Sequence, residues 1–408
     1  MRLDGLFGLC TSLAFVIGAA NSALAQVPQS EPEPETRQAI IANAVDEKAK
    51  SLHPYEVTIA EKVVTRIEQH FTNEVSGWHP NFESAYRGSG FTLGAGYMFH
   101  PSAYDTLDIR GSYSVNSYKL AEAEFKSPRL FDRRGELTVR GGWRDATEVG
   151  FYGVGMNTLS RDRANYRFEE PFGTALLTIR PTRRLLMVRG GFEASRWDLK
   201  SAKGAVRSVD EIYTSDTLPG LGATTTYLHT QATIGVDSRP SSEYARRGGF
   251  YGVTGHYYHD RDDALGFRQV DYEAIQHIPI LRESWVISLH GLAKTTWANG
   301  NQEIPFYMLP SLGGGSNLRG FSSFRFSDRH SLLLQAEWRI VANRFFESAV
   351  FYDTGKVAAR TSDLDFKHLK SDYGIGARFH APMQTVLRVE VARSNQGTQL
   401  VFGASPVF

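Results

Sequence analysis

HSLLLQAEWRI, residues 330 to 340, alternates apolar and polar side chains almost one by one. Leu332, Leu334, Ala336, Trp338 and Ile340 fall on one face, Ser331, Gln335, Glu337 and Arg339 on the other, and Leu333 is the single apolar residue out of place. Successive side chains of an extended strand point to opposite faces, so this period of two marks a strand lying between two different environments. SWVISLHGLAKTTW (284 to 297) sets Trp285, Ile287, Leu289 and Ala293 against Ser288, His290 and Lys294, with Trp285 and Trp297 at the ends of the apolar band where interfacial aromatics belong. TVLRVEVAR (385 to 393) repeats the scheme, with Leu387, Val389 and Val391 opposite Arg388 and Glu390.

After residue 25 no segment approaches the roughly 20 apolar residues of a membrane helix. A transmembrane strand needs only about 9 to 11 residues and shows lipid one face, so alternation with low mean hydropathy is its signature. A soluble sandwich also alternates, and the lengths of the connections separate the two. Strands are predicted near 90-100, 104-116, 118-126, 134-143, 147-154, 165-180, 184-198, 224-238, 248-259, 267-279, 284-297, 329-341, 347-355, 371-381, 384-394 and 397-408. The turns after even-numbered strands are mostly short, as at Pro181-Thr182-Arg183, whereas 199 to 223, 298 to 328 and 356 to 370 follow odd-numbered ones. Clipped turns at one end and long loops at the other predict an all-β fold, a sixteen-stranded antiparallel transmembrane β-barrel with a short amino-terminal helical segment. An even count brings both termini to one end, and Phe408 closes the last alternating segment as an aromatic.

The first 25 residues predict a signal peptide: Arg2, an apolar stretch from Leu9 to Ala20, and Ala23-Leu24-Ala25 before Gln26. Export to the outer membrane of a Gram-negative bacterium follows. Cys10 is the only cysteine and lies within this segment; a lipoprotein anchor is the competing reading, but Leu9 stands where a small residue is expected. The mature chain then has no disulfide, and its stability comes from packing or lipid. A net charge of +1 gives no reason to expect nucleic acid.

Between Gln26 and about residue 89 the texture changes. QVPQSEPEPE reads as a flexible leader, and TRQAIIANAVDEKAK and IAEKVVTRIEQHF as short helices; in the second, Ile59, Val63, Ile67 and Phe71 recur every four residues. A periplasmic stub and a helix resting in the lumen are both consistent with this. The barrel is expected over 90 to 408.

No catalytic residue, metal site or cofactor is predicted. There is no H-E-x-x-H, no cysteine pair and no phosphate-binding loop, since Gly313-Gly314-Gly315 is not followed by Lys-Ser or Lys-Thr. A G-x-S-x-G elbow is absent as well. Ser288 and His290 share the inward face, but residues two apart on a strand lie about 7 Å apart, too far for a direct bond.

The order of three segments is informative: SLGGGSNLRGF with Leu318-Arg319-Gly320-Phe321, a strand carrying Glu337, and a strand carrying Phe351-Tyr352-Asp353-Thr354-Gly355. This succession resembles the carboxy-terminal barrel of the BamA-like bacterial surface antigen superfamily, the eighty-five-kilodalton outer-membrane protein group. The resemblance runs from roughly 90 to 408 and includes, less specifically, Gly88-Ser89-Gly90-Phe91 and Phe151-Tyr152-Gly153-Val154-Gly155. It implies that the loop folds into the lumen, with Arg319 reaching Glu337 on the next strand and Asp353 in a motif that also contains Gly355. Leu318 replaces the family's usual Val or Ile. A guanidinium with five fixed donors suits a bridge between two carboxylates.

Two departures bear on function. The family's periplasmic POTRA modules, which receive client proteins, do not fit in residues 26 to 89. The carboxy-terminal LVFGASPVF keeps Gly403 but has Pro406 where an aromatic is usual; a weak seam between first and last strands and a frayed terminus both accommodate a residue without an N–H. The resemblance implies outer-membrane biogenesis without covalent chemistry, with outer-membrane lipids, client outer-membrane proteins or a separate periplasmic subunit as partners, and a homo-oligomer as a further option. A passive channel or structural barrel is the alternative.

Overall fold

A computed structural model describes Lys48 and residues 76 to 408, apart from Arg183, Arg184, Arg344, Pro382, Met383 and Ala404. The expected signal peptide and, apart from the helical Lys48, the two expected helices lie outside the described residues. No described helix is long and apolar enough to cross a membrane, which says nothing of a β-barrel.

Sixteen antiparallel strands form one sheet in chain order. They are β1 (Gly77–Asn81), β2 (Thr92–Phe99), β3 (Thr106–Ser114), β4 (Lys119–Arg129), β5 (Gly135–Phe151), β6 (Ala164–Ile179), β7 (Leu186–Ser201), β8 (Thr224–Asp237), β9 (Gly248–Asp260), β10 (Phe267–Ile280) and β11 (Trp285–Ala298). A two-stranded ladder inside the next loop, β12 (Ser311–Leu312) with β13 (Phe326–Ser327), stands apart from the sheet. The sheet resumes with β14 (His330–Val341), β15 (Phe346–Ala358), β16 (Lys370–Ala381), β17 (Gln384–Ser394) and β18 (Gly397–Gly403).

The sheet curls on itself. Phe91, just before β2, and Phe402 of β18 meet edge to face at 6.1 Å, although they belong to opposite ends of the strand order. One face is exposed and apolar, with Leu289, Trp338, Val350, Tyr352 and Ile375 among its members, while Gln335, Glu337, Asp353 and Glu390 on the other face are buried. This apolar-out, polar-in arrangement is that of a barrel whose solvent is lipid. The long connections 152–163, 202–223, 299–329 and 359–369 all lie at one end, opposite short turns such as 281–284 and 342–345.

The predicted count is correct, but two of its members are not. The segments 134-143 and 147-154 are one strand, β5, which passes through a bulge between Ala146 and Val149 without leaving the sheet; an extra residue kinks a strand without ending it. The first strand is β1, upstream of the predicted 90-100, and its sequence GWHPN carries neither alternation nor β-branched residues. The last strand stops at Gly403, so Pro406 and Phe408 lie beyond the ladder and not within a strand reaching 408. Leu333, the residue out of place, points inward and is buried against Leu312, Leu318 and Phe326 of the loop: it is where that loop docks.

Gly374 of β16 fixes the wall beneath the loop. It pairs with Phe351 of β15, and a Cβ there would lie 2.4 Å from the Phe351 ring and 2.1 Å from the Val391 carbonyl oxygen. The bare glycine lets the ring lie flat across two strands. Replacement Gly374→Val should displace Phe351 and cost about 1 to 3 kcal/mol as overpacking does, seen as a lower temperature for loss of the compact, heat-modifiable band on gels.

Candidate functional site

The loop from 299 to 329 returns into the barrel because its base is closed and its tip is charged. Ser311 pairs with Ser327 and Leu312 with Phe326, closing a hairpin-like neck. Above it Gly313 and Gly314 take φ of 112° and 104°, a left-handed region that favours glycine. Asn317 Oδ1 accepts from the backbone N–H of Gly313 at 2.7 Å and of Leu318 at 2.8 Å, so the turn holds its own shape. Leu318 and Phe321 bury their side chains against Leu333 and Val357, with Phe321 and Phe326 at 5.3 Å between ring centres.

This packing delivers Arg319, fully buried, to the inner faces of β14, β15 and β17. Its Nε and Nη2 donate to the two oxygens of Asp353, both at 2.7 Å, a bidentate fork. Nη1 donates to Glu337 Oε1 at 2.6 Å and reaches both oxygens of Glu390 at 3.3 Å. The guanidinium carbon stands 3.4 Å above the centre of the Phe351 ring. All donors of the fork are directed at carboxylates while its face rests on an aromatic, which is the geometry a planar guanidinium offers and an ammonium does not.

The arrangement extends beyond the predicted residues. Arg378 of β16 donates to both oxygens of Glu337, at 2.9 and 2.6 Å, and to Glu390 at 2.8 Å. Arg388 of β17 donates to Glu390 at 2.6 Å and to the Gly315 carbonyl at 2.9 Å, so a second arginine grips the loop from the wall. Arg339 forks onto Glu347 at 2.7 and 2.8 Å, and Arg378 joins this pair to the rest at 3.5 Å from Glu347. Four arginines (319, 339, 378 and 388) thus meet four carboxylates (337, 347, 353 and 390), and Asp372, opposite Asp353 in the β15–β16 register, is a fifth buried acid beside them. Gln335 ties the network to the loop backbone, donating to Asn317 O at 3.0 Å and to Asp353 at 3.1 Å. Farther up, Arg325 donates to Gln396 at 2.9 Å and to the Thr158 hydroxyl at 2.7 Å, holding the loop to two other outer segments.

The structure therefore brings Arg319, Glu337 and Asp353 together and gives different roles to the other named residues. Gly320 is the third residue of a turn closed by the Phe321 N–H donating to the Leu318 carbonyl at 3.2 Å, and a Cβ there would lie 2.5 Å from the Asp372 Cβ, so the turn runs close against the wall. Gly355 clears space for Leu312, whose Cδ1 would lie 3.0 Å from an added Cβ. Gly403 lies opposite Arg388 in the β17–β18 register, and a Cβ there would be 2.8 Å from its guanidinium. Glu390 and Arg388 have inward parity in the sequence, but which strand faces which is not visible there. Ser288 and His290 do not bond each other: Ser288 meets His277 Nδ1 at 2.8 Å, and His290 meets Gln335 at 2.9 Å and Glu273 at 3.1 Å.

The Omp85 superfamily domain matches residues 78–404, and the chain belongs to that superfamily. Over these residues the chain is an Omp85-type barrel. Among solved structures, BamA from Haemophilus ducreyi lacking POTRA domains 1-3 shares the fold with a TM-score of 0.55 at 16% identity, over 80% of this chain and 67% of that one. CdiB from Escherichia coli gives 0.50 at 13% identity, over 81% of this chain and 59% of that one. Comparison with curated protein sequences finds no match.

Breaking a buried pair from one side strands the partner charge, at a cost of roughly 3 to 5 kcal/mol. Arg319→Ala should lower barrel stability by about that amount and expose residues 311 to 327 to protease, both read on the purified protein. Arg319→Lys keeps the charge but loses the fork, so it should restore only a minor part of the loss.

Proposed function

We propose that this chain acts in outer-membrane biogenesis, assisting the insertion or translocation of proteins or lipids at a weak seam between β1 and β18. What supports the reading is the shortness of the two strands that would border that seam. Among the described residues no strand ladder joins β1 to β18, and each is paired on one side only. β1 has 5 residues, β2 has 8 and β18 has 7, against 17 in β5. At about 3.3 Å per residue the seam strands extend roughly 17 and 23 Å before tilt, and fall short of the about 9 to 11 residues of a spanning strand. Lipid beside them meets a shortened apolar band and thins to match it. An unpaired strand edge is at the same time a template for another strand.

Behind the seam lies a cavity of about 810 Å³, bordered by Asn81 and Val401 from its two sides and by Asp108, Arg110, Glu124 and Arg388 deeper in. A polar chamber beside a thinned bilayer lowers the cost of carrying peptide groups or headgroups across apolar surroundings. The work asked of the chain is a lowered barrier, with no covalent step. Client outer-membrane proteins, lipids, a separate periplasmic subunit and a second copy of the chain are the partners consistent with it.

The passive channel is the second reading. It needs a clear lumen, and the outer end is filled by an aromatic stack in which Phe168, Trp197 and Tyr307 follow one another at 4.4 and 5.3 Å. At the other end the connection 238–247 also turns inward: Tyr244 stacks on His380 at 4.0 Å, and Arg339 donates to the Ala245 carbonyl at 2.7 Å.

Reconstitution in liposomes separates the two. The barrel should speed folding of a second outer-membrane barrel several-fold and carry little steady current; strong steady conductance without acceleration would sink the biogenesis reading. With Cys10 the only native cysteine, the exposed pair Pro80→Cys and Leu400→Cys is the one to bridge with a short bis-maleimide. Bridging should abolish the acceleration and leave the fold intact.

A further inference from the structure

The two ends of the barrel carry different charge. By sequence, the seven connections at the short-turn end (100–105, 130–134, 180–185, 238–247, 281–284, 342–345 and 382–383) hold ten arginines, no lysine and four acids, a net charge of +6. The eight connections at the other end hold eleven basic and eleven acidic residues. The chain as a whole carries +1, so the excess is a matter of placement.

Part of that excess is taken up within the rim. Arg239 and Arg180 face Asp237 at 3.0 and 4.0 Å, Arg246 donates to the Tyr244 hydroxyl at 2.8 Å, and Arg247 stands 3.6 Å from Glu283. Arg133, Arg134 and Arg282 are exposed and form no ion pair with a described acid. Neighbouring connections touch: the Arg180 N–H donates to the Arg134 carbonyl at 2.7 Å and the Asp237 N–H to the Leu185 carbonyl at 2.8 Å, so the arginines follow one another along an arc.

The same turns expose apolar side chains. Phe131 and Leu281 are each 61% exposed, and each begins a run of three residues at positive φ, of 51°, 56° and 67° from Phe131 and 48°, 57° and 68° from Leu281. This repeated turn sets an apolar residue beside arginines, Phe131 with Arg133 and Arg134, Leu281 with Arg282. Directly behind lies an aromatic girdle, in which Trp285 and Trp338 meet at 5.3 Å and Phe346 and Phe379 at 5.4 Å. Such a girdle sits at headgroup level, which puts the arginines beside phosphates. A guanidinium takes two phosphate oxygens in its fork. A soluble acidic partner would answer the charge and leave Phe131 and Leu281 in water.

We propose that this rim is a binding surface for anionic phospholipids of the adjoining leaflet, with Arg133, Arg134 and Arg282 on headgroup phosphates and Phe131 and Leu281 in the acyl region. Every phospholipid offers a phosphate; the net charge of the rim selects those without a compensating amine. The surface stands apart from the seam and does not depend on the biogenesis reading.

The full chain is reconstituted in phosphatidylcholine vesicles with a trace of spin-labelled phosphatidylglycerol or spin-labelled phosphatidylcholine, and the share of label immobilised by the protein is measured at low salt. Phosphatidylglycerol should be held at least about threefold more strongly, and the preference should shrink in about 0.5 M salt, which screens exposed charge. Arg133→Gln, Arg134→Gln and Arg282→Gln together should remove most of the preference and leave the heat-modifiable band unchanged, whereas Arg161→Gln with Arg360→Gln at the other end should leave the preference intact. Phe131→Ser with Leu281→Ser should weaken it, an effect that a surface for soluble anions would not show. If the triple variant does not fold, the Arg133→Gln and Arg134→Gln pair takes its place. Equal retention of the two lipids by the unmodified chain, or an undiminished preference in a folded arginine variant, overturns the proposal. Binding of the acidic peptide QSEPEPE, residues 29 to 35, that phosphatidylglycerol fails to displace assigns the rim to a polypeptide and overturns it as well.

Discussion

A guanidinium fully removed from water and held by three carboxylates is the interaction on which the rest of this barrel depends. An isolated charge in such a place is prohibitive, and it persists only because every donor of Arg319 is met. Meeting those donors dictates the surroundings: inward acids on β14, β15 and β17, two more arginines to hold those acids, an aromatic floor, and glycines wherever the loop touches the wall. The energetic balance of such a set is modest, since desolvation offsets most of the attraction. Its larger effect is on uniqueness, because a shift of the loop against the wall strands several of these charges at once.

The sheet was largely legible because lipid outside and water inside force a period of two that survives any loop length. Parity alone places Glu337 and Asp353 inward, and the Gly-rich segment with Arg319 declares what they await. Arg378, Arg388 and Glu390 were beyond reach as partners: each is polar and inward, but joining them needs the strand register, which the bulge between Phe379 and His380 alters. β1 was hidden for a different reason. Five residues that include glycine, histidine and proline offer no pattern to read, and that weakness in sequence is the same weakness that leaves the strand short.

The tail illustrates how parity misleads at a boundary. Phe402 and Phe408 are six residues apart, so they share a face on any continuous strand; Phe402 is exposed on the outer surface, whereas Phe408 ends among histidines in the lumen. Alternation describes a residue only while the ladder continues, and the ladder stops at Gly403.

The neck formed by β12 and β13 has a mechanical consequence. It anchors the loop at its root while Arg319, Arg388 and Arg325 bolt its far side to β15, β17 and the outer segments, so four consecutive strands, β14 to β17, are cross-braced through their interior. The β1–β2 connection is tied to the same loop: Arg87 donates to the Ser311 carbonyl at 3.2 Å and lies over the Phe324 ring at 3.9 Å, and Tyr86 stacks on Phe324 at 5.5 Å. One loop thus ties the first two strands and β14 to β17 to a single root, so a load that parts these strands pulls on the neck itself.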